Sequence, residues 1–210
     1  MTIALDEGGF MYLTPVLLLL VLVLSSGSVF AQRSGPQFRR PLACEPLEPR
    51  TKLESIDGQY EKVLIKGFTQ VAAFNARGGE VRVDALELKE AGSPTRALGI
   101  VVAIREVREA GERPLDNRWF VDYDEIEALI KAIDSIAKVS ETVTKLTGFE
   151  ARYRTAGDLE LNVFRQSRSG TAASLTSGIC EKTTVLLTLD ELERLKGIIV
   201  EAKTRLDEIK

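Results

Sequence analysis

Side chains that run most enzyme chemistry near neutral pH are either missing from this chain or scattered along it. Histidine is absent from all 210 residues. That removes Ser-His-Asp and Cys-His catalysis, the HExxH zinc motif, and the commonest metal ligand and proton shuttle. No GxSxG elbow, GxxxxGK[ST] phosphate loop or GxGxxG turn occurs either. The small polar stretch Ser169-Gly170-Thr171-Ala172-Ala173-Ser174 reads as a turn into a strand.

Carboxylates remain. Asp122, Asp124, Glu125 and Glu127 crowd one predicted helix start, and Asp190, Glu191 and Glu193 crowd another. The helix dipole favours acids there by ~0.3–1 kcal/mol each, and their recurrence points to a structural role. A calcium loop needs a DxDxDG-type run of oxygen ligands, which the chain lacks. Two acids can still converge from distant positions, as in glycoside hydrolysis, so a carboxylate-based hydrolase stands as one alternative. No catalytic, metal-binding or cofactor-binding residue is assigned, and no cofactor is expected.

The densest basic patch is Arg152, Arg154, Arg165 and Arg168, interleaved with Glu150, Asp158 and Glu160. Capture of single-stranded nucleic acid calls for a cationic groove with aromatic platforms. Here aromatic residues are only 6% of the chain, and the formal charge is −3. Trp119, Phe120 and Tyr123 sit together at a strand-to-helix junction, where core packing is the expected role. Nucleic acid is therefore disfavoured as a partner.

Leu17–Leu24 is an uninterrupted apolar run, followed by Ser25, Ser26, Gly27 and Ser28 and then Val29-Phe30-Ala31. This order suits a signal peptide over 1–31, cut after Ala31. Extended upstream by Tyr12, Leu13 and Val16, the run is about a dozen residues, short of the ~20 that span a bilayer. Residues 1–10 carry Asp6 and Glu7 but no basic side chain, so Met1 and Met11 both stand as starts. An uncleaved N-terminal anchor is the other reading, and the only expected route to a membrane. Cleavage would leave 28 bases against 29 acids, a formal charge of −1. The chain is then secreted or periplasmic, where a disulfide can persist. Cys44 and Cys180 are the only cysteines, and they stand either as one bridge or as two free thiols. A bridge closing so long a loop is worth ~4–5 kcal/mol in the chain-entropy model.

Residues 32–52 read as a Pro/Arg-rich linker, with Pro36, Pro41, Pro46 and Pro49 among Arg33, Arg39, Arg40 and Arg50. Beyond it the chain repeats itself. A first module over 53–143 places strands near Lys62–Phe74, Glu80–Leu88, Arg96–Val107 and Arg118–Val121. Asn75-Ala76-Arg77-Gly78-Gly79 supplies the first tight turn. A helix follows from Asp124 to about Val139, burying Ile126, Leu129, Ile130, Ile133 and Ile136, with Asp122 and Glu125 expected as its capping box. A second module over 144–210 places strands near Phe149–Thr155, Asp158–Gln166, Thr171–Ser177 and Lys182–Leu187. Its helix buries Leu192, Leu195, Ile199, Ala202 and Leu206 and opens on the Thr188/Glu191 box. At an offset of 66, Asp124, Glu125, Glu127 and Leu129 match Asp190, Glu191, Glu193 and Leu195, the mark of an internal repeat.

Four strands and a helix, present twice, resemble the Whirly-type and transcriptional-coactivator folds that bind single-stranded nucleic acid. The likeness covers residues 60–206 as an order of elements, with no residue-level motif. It implies an α+β fold: two tandem antiparallel-sheet-plus-helix (β4α) modules packed as a pseudo-dimer through their helices. Fold does not fix function. The sequence leads to an exported, non-enzymatic binding or scaffolding protein of unknown ligand, with a protein or cell-envelope component as the candidate partner. A Whirly-like single-strand binder is the further alternative.

Overall fold

The computed structural model describes residues 48–107, 112–139, 142–166, 170–178 and 181–210. Cys44, Cys180, Arg168, the apolar run and most of the linker lie outside them, and with them the bridge and leader expectations.

Strands β1 (Leu64–Ala76), β2 (Gly79–Glu90), β3 (Arg96–Glu106) and β4 (Leu115–Asp122) form one antiparallel sheet in chain order. Strands β5 (Glu150–Arg154), β6 (Glu160–Gln166), β7 (Gly170–Ser177) and β8 (Thr183–Leu187) form a second. Antiparallel neighbours need only short turns. The first turn is made possible by Gly78, whose φ of +101° a side chain would resist. A long helix follows each sheet, α2 (Tyr123–Ala137) and α3 (Leu189–Asp207). The α+β class is as expected. A short helix before β1, α1 (Lys52–Asp57), was not anticipated. Thr51 and Glu54 form its capping box.

Ile126, Leu129, Ile133 and Ile136 recur at helical spacing along α2, and Leu192, Leu195, Ile199, Ala202 and Leu206 along α3. Both stripes lie in one core with Val81, Val83, Ile100, Val102 and Ile104 of the first sheet and Leu161, Val163, Leu175 and Val185 of the second. Burying each such side chain stabilises by roughly 1.5–3 kcal/mol. At the helix rims Lys196 Nζ lies 2.7 Å from Asp134 Oδ1, and Lys203 Nζ 3.4 Å from Glu127 Oε1.

The middle strands of the first sheet are covered on both faces. Alternate residues Leu86, Leu88, Ala97 and Val101 pack beneath Leu53 and Ile56 of α1 in a second, smaller core. This explains the unbroken apolar run Ile100-Val101-Val102-Ala103-Ile104, since a strand buried on both sides has no wet face to alternate with.

Thr188 and Glu191 cap α3 as expected: Thr188 Oγ1 accepts from Glu191 N at 3.1 Å, and Glu191 Oε2 accepts from Thr188 N at 2.7 Å. The box expected at α2 does not form. Asp122 holds the N-cap position without a side-chain cap bond. Its carboxylate instead accepts from the backbone of Lys52 and Leu53 in α1. Glu125 turns away to accept from Ala156 N at 2.7 Å, in the β5–β6 turn. Both acids join separate parts of the chain, a use that local spacing does not reveal.

Two further contacts cross between the sheets. Arg77, in the β1–β2 turn, pairs with Leu186 of β8: Arg77 N donates to Leu186 O at 3.2 Å, and Leu186 N to Arg77 O at 2.9 Å. The β5–β6 turn lies against β4 so closely that a Cβ on Gly157 would sit 2.4 Å from Phe120 O. Leu186 and Phe120 each stand two residues before a helix N-cap, Thr188 and Asp122.

Candidate interaction surface

Ala91 N donates to Val63 O at 2.9 Å, and the β1–β2 register continues from Leu64↔Glu90 to Gln70↔Asp84. In an antiparallel ladder, bonded and non-bonded pairs alternate. Val63, Ile65, Gly67 and Thr69 therefore turn their backbone groups toward β2. Leu64, Lys66, Phe68 and Gln70 turn theirs toward the open side, since β1 is an outer strand. Residues 65–70 are exposed throughout, with Phe68 at 70%, Ile65 at 55% and the preceding Val63 at 71%.

The other outer strands are protected: along β4 the outward-turned positions are Asp116, Arg118, Phe120 and Asp122, three of them charged, and the β5–β6 turn lies on Phe120 O. Arg165 N donates to Phe149 O and Thr155 N to Leu159 O. By the same alternation, the β5 residues with outward backbone groups are Glu150, Arg152 and Arg154. All three are charged, which discourages pairing with another strand. The β8 edge is met by Arg77. Among the four outward-turned positions of β1, only Lys66 is charged. Its ammonium is 3.2 Å from Asp57 Oδ1 and 5.7 Å from the Phe120 ring centre, on the α1 face of the sheet.

On the opposite face a groove of about 430 Å³ runs between β1–β2 and the end of α3. Gly67, Thr69, Ala85, Leu206 and Ile209 supply its apolar lining, and Glu87, Arg205 and Glu208 its charged rim. Gly67 leaves an open notch there: an added Cβ would meet only the Glu87 side chain, at 3.7 Å. Lys89 and Arg96 hold the Glu87 carboxyl below the usual range. Sequence reading placed β1 correctly but had no signal for which strand ends the sheet.

The acids that suggested hydrolysis are engaged elsewhere. Lys52 holds the Asp124 carboxyl low, with Nζ 2.8 Å from Oδ2. Burial pushes Glu125 up, aided by Asp122 and Asp124 and opposed by the Ala156 N–H. These two preferences are opposed, as an acid–base pair requires. Their side chains turn to different neighbours, however. Asp124 lines a small groove with Lys52, Arg96 and Tyr123, whereas Glu125 points to Ala156. Among the described residues no three Asp, Glu, Cys or His groups converge on a metal-sized space.

Within the basic patch, Arg152 and Arg154 are paired with carboxylates. Arg154 Nη2 lies 2.6 Å from Glu160 Oε2, its cross-strand partner in the β5–β6 hairpin, and Arg152 Nη2 lies 2.8 Å from Glu150 Oε1. Asp158 adds contacts to Arg50 and Arg154. Trp119 and Tyr123 pack against the main core and Phe120 against the smaller one, as their junction position implied. No family model, curated protein or solved structure matches this chain.

Proposed function

We propose that this chain is an exported, non-enzymatic binding or scaffolding protein, a fused pair of β4α modules that clasp each other as a pseudo-dimer and dock a partner along the open edge of β1. What carries the reading is the reciprocity of the two turns. The first hairpin turn of each module lies on the other module, at the residue two before its helix: Arg77 on Leu186 and Gly157 on Phe120. Leu186 and Phe120 are themselves 66 apart, the offset of the sequence repeat. A two-fold interface has this self-complementary form. Fusing its halves spares the entropy of association and leaves a rigid body with one unprotected strand. An edge strand with unpaired backbone groups is a ready template for strand addition.

The pairing of Arg152 and Arg154 with Glu150 and Glu160 favours this reading over single-strand binding, because paired cations release fewer counterions on meeting phosphate. The test is fractionation of cells producing the full chain, with a photo-crosslinking side chain at Thr69. A shortened form outside the inner membrane, with adducts at position 69, is the expected result. An exclusively cytoplasmic chain would refute export, and an absence of adducts would refute docking on β1.

A further inference from the structure

The geometry points to a second copy of this chain as the occupant of the β1 edge, paired antiparallel about a two-fold axis at Gly67. This rests on the proposed docking edge and adds the identity of what docks. Backbone groups turned outward on one copy must meet outward groups on the other, which restricts the register. An axis at Lys66 would set two ammonium groups directly opposite each other, which is destabilising. With the axis at Gly67, Lys66 lies opposite Phe68 of the second copy, cation beside aromatic ring. Leu64 then faces Gln70, and Ile65 faces Thr69 on the groove side. Gly67 meets Gly67 where neither has a side chain, so the two grooves join across an open centre.

The charged β4 and β5 edges and the Arg77-covered β8 edge offer no second pairing strand. Association therefore closes at two copies instead of growing into a fibre. Its strength follows from its size. Val63, Ile65, Phe68 and Ile209 are the large exposed apolar side chains on β1, just before it or lining its groove, a small patch beside the ~20–30 residues a side of a standard interface. The pair should dissociate in the micromolar range, as small interfaces do.

The experiment uses protein made from the full-length sequence, in the processed form the cell yields, and follows mass by sedimentation over about 1–200 µM. A monomer–dimer equilibrium is expected, with its midpoint raised at least about tenfold by Phe68→Glu, a loss typical of a central apolar residue. Lys66→Pro removes one outward N–H but no β1–β2 bond, and should shift the midpoint likewise while leaving the thermal transition in place. Gly67→Cys provides an independent check, because directly opposed residues of a non-bonded pair stand about 4.5 Å apart. Mild oxidation should link Gly67→Cys chains into a covalent dimer beyond the wild-type background from Cys44 and Cys180. A wild type that stays monomeric throughout, a dimer unmoved by both β1 variants, or no added crosslink in Gly67→Cys would each overturn the proposal. A position-69 adduct with a different protein would also overturn it, while leaving the docking edge itself standing.

Discussion

Asp122 caps a helix 70 residues away from itself: Oδ2 accepts from Lys52 N at 2.7 Å and Oδ1 from Leu53 N at 3.1 Å. The first backbone N–H groups of a helix have no partner within it, and a carboxylate is the strongest acceptor for them. Asp122 is only 9% exposed, so water cannot replace it easily. Through this contact α1 is held against the end of β4, where its Leu53 and Ile56 cover the outer face of the first sheet.

Replacing Asp122 by Ala should therefore cost about 2–3 kcal/mol, the range for losing hydrogen bonds to a charged group. Asn keeps one acceptor oxygen and should cost less. Amide exchange at Lys52 and Leu53 should quicken in both variants, while α2 keeps its helicity. Unchanged exchange at those two amides would show that the contact does not hold α1.

Glu125 should show the opposite sign at neutral pH. Burial raises its folded pKa above the unfolded value, so its contribution to stability is full below the unfolded pKa and is lost as pH rises through the folded one. Glu125→Gln keeps an acceptor for Ala156 N but carries no charge. The variant should equal the wild type near pH 4 and exceed it at pH 7, by no more than about 1 kcal/mol. Glu125→Ala leaves the Ala156 N–H unpartnered and should lose about 1 kcal/mol instead. Urea midpoints of the three proteins across pH 4–7 decide the matter. A difference between wild type and Gln that does not grow with pH would refute the argument.

Two glycines separate close approach from mere backbone freedom. At Gly157 an added Cβ would stand 2.4 Å from Phe120 O and 3.2 Å from Thr51 Cγ2, so Gly157→Ala must push the β5–β6 turn off β4. The expected loss is about 1–3 kcal/mol, as for overpacked sites. Gly197 lies within α3, and a Cβ there meets nothing within 4 Å. Gly197→Ala should raise stability by about 0.5–1 kcal/mol, the difference in helix propensity. Thermal melts of the pair should move in opposite directions.

The outer face of the second sheet offers a check on nucleic-acid binding. With Glu160 accepting from Arg154 and Asn162, the wild type should pass through a single-stranded oligonucleotide column even at low salt. Glu160→Gln frees positive charge beside Arg152 and Arg154 and should increase retention, with a steep salt dependence. Strong retention of the wild type at low salt would reinstate the single-strand reading.

Periodicity along the chain determined most of the element order. The alternating three- and four-residue spacing of Ile126, Leu129 and Ile133 needs no distant partner to specify a helix, and neither does the alternation of Phe149, Ala151 and Tyr153 to specify a strand. The Thr188/Glu191 box closes within one turn and was legible for the same reason. Tertiary structure decided whatever depends on what lies alongside. Asp122 and Glu125 have the same spacing as a capping box, but α1 and the β5–β6 turn bring rival N–H donors within reach, and those contacts win. Phe68 reads as an ordinary strand residue. Only the order of strands in the sheet shows that, among the described residues, no strand lies beside its outward backbone groups, because an edge is a property of the assembled sheet and not of any one strand.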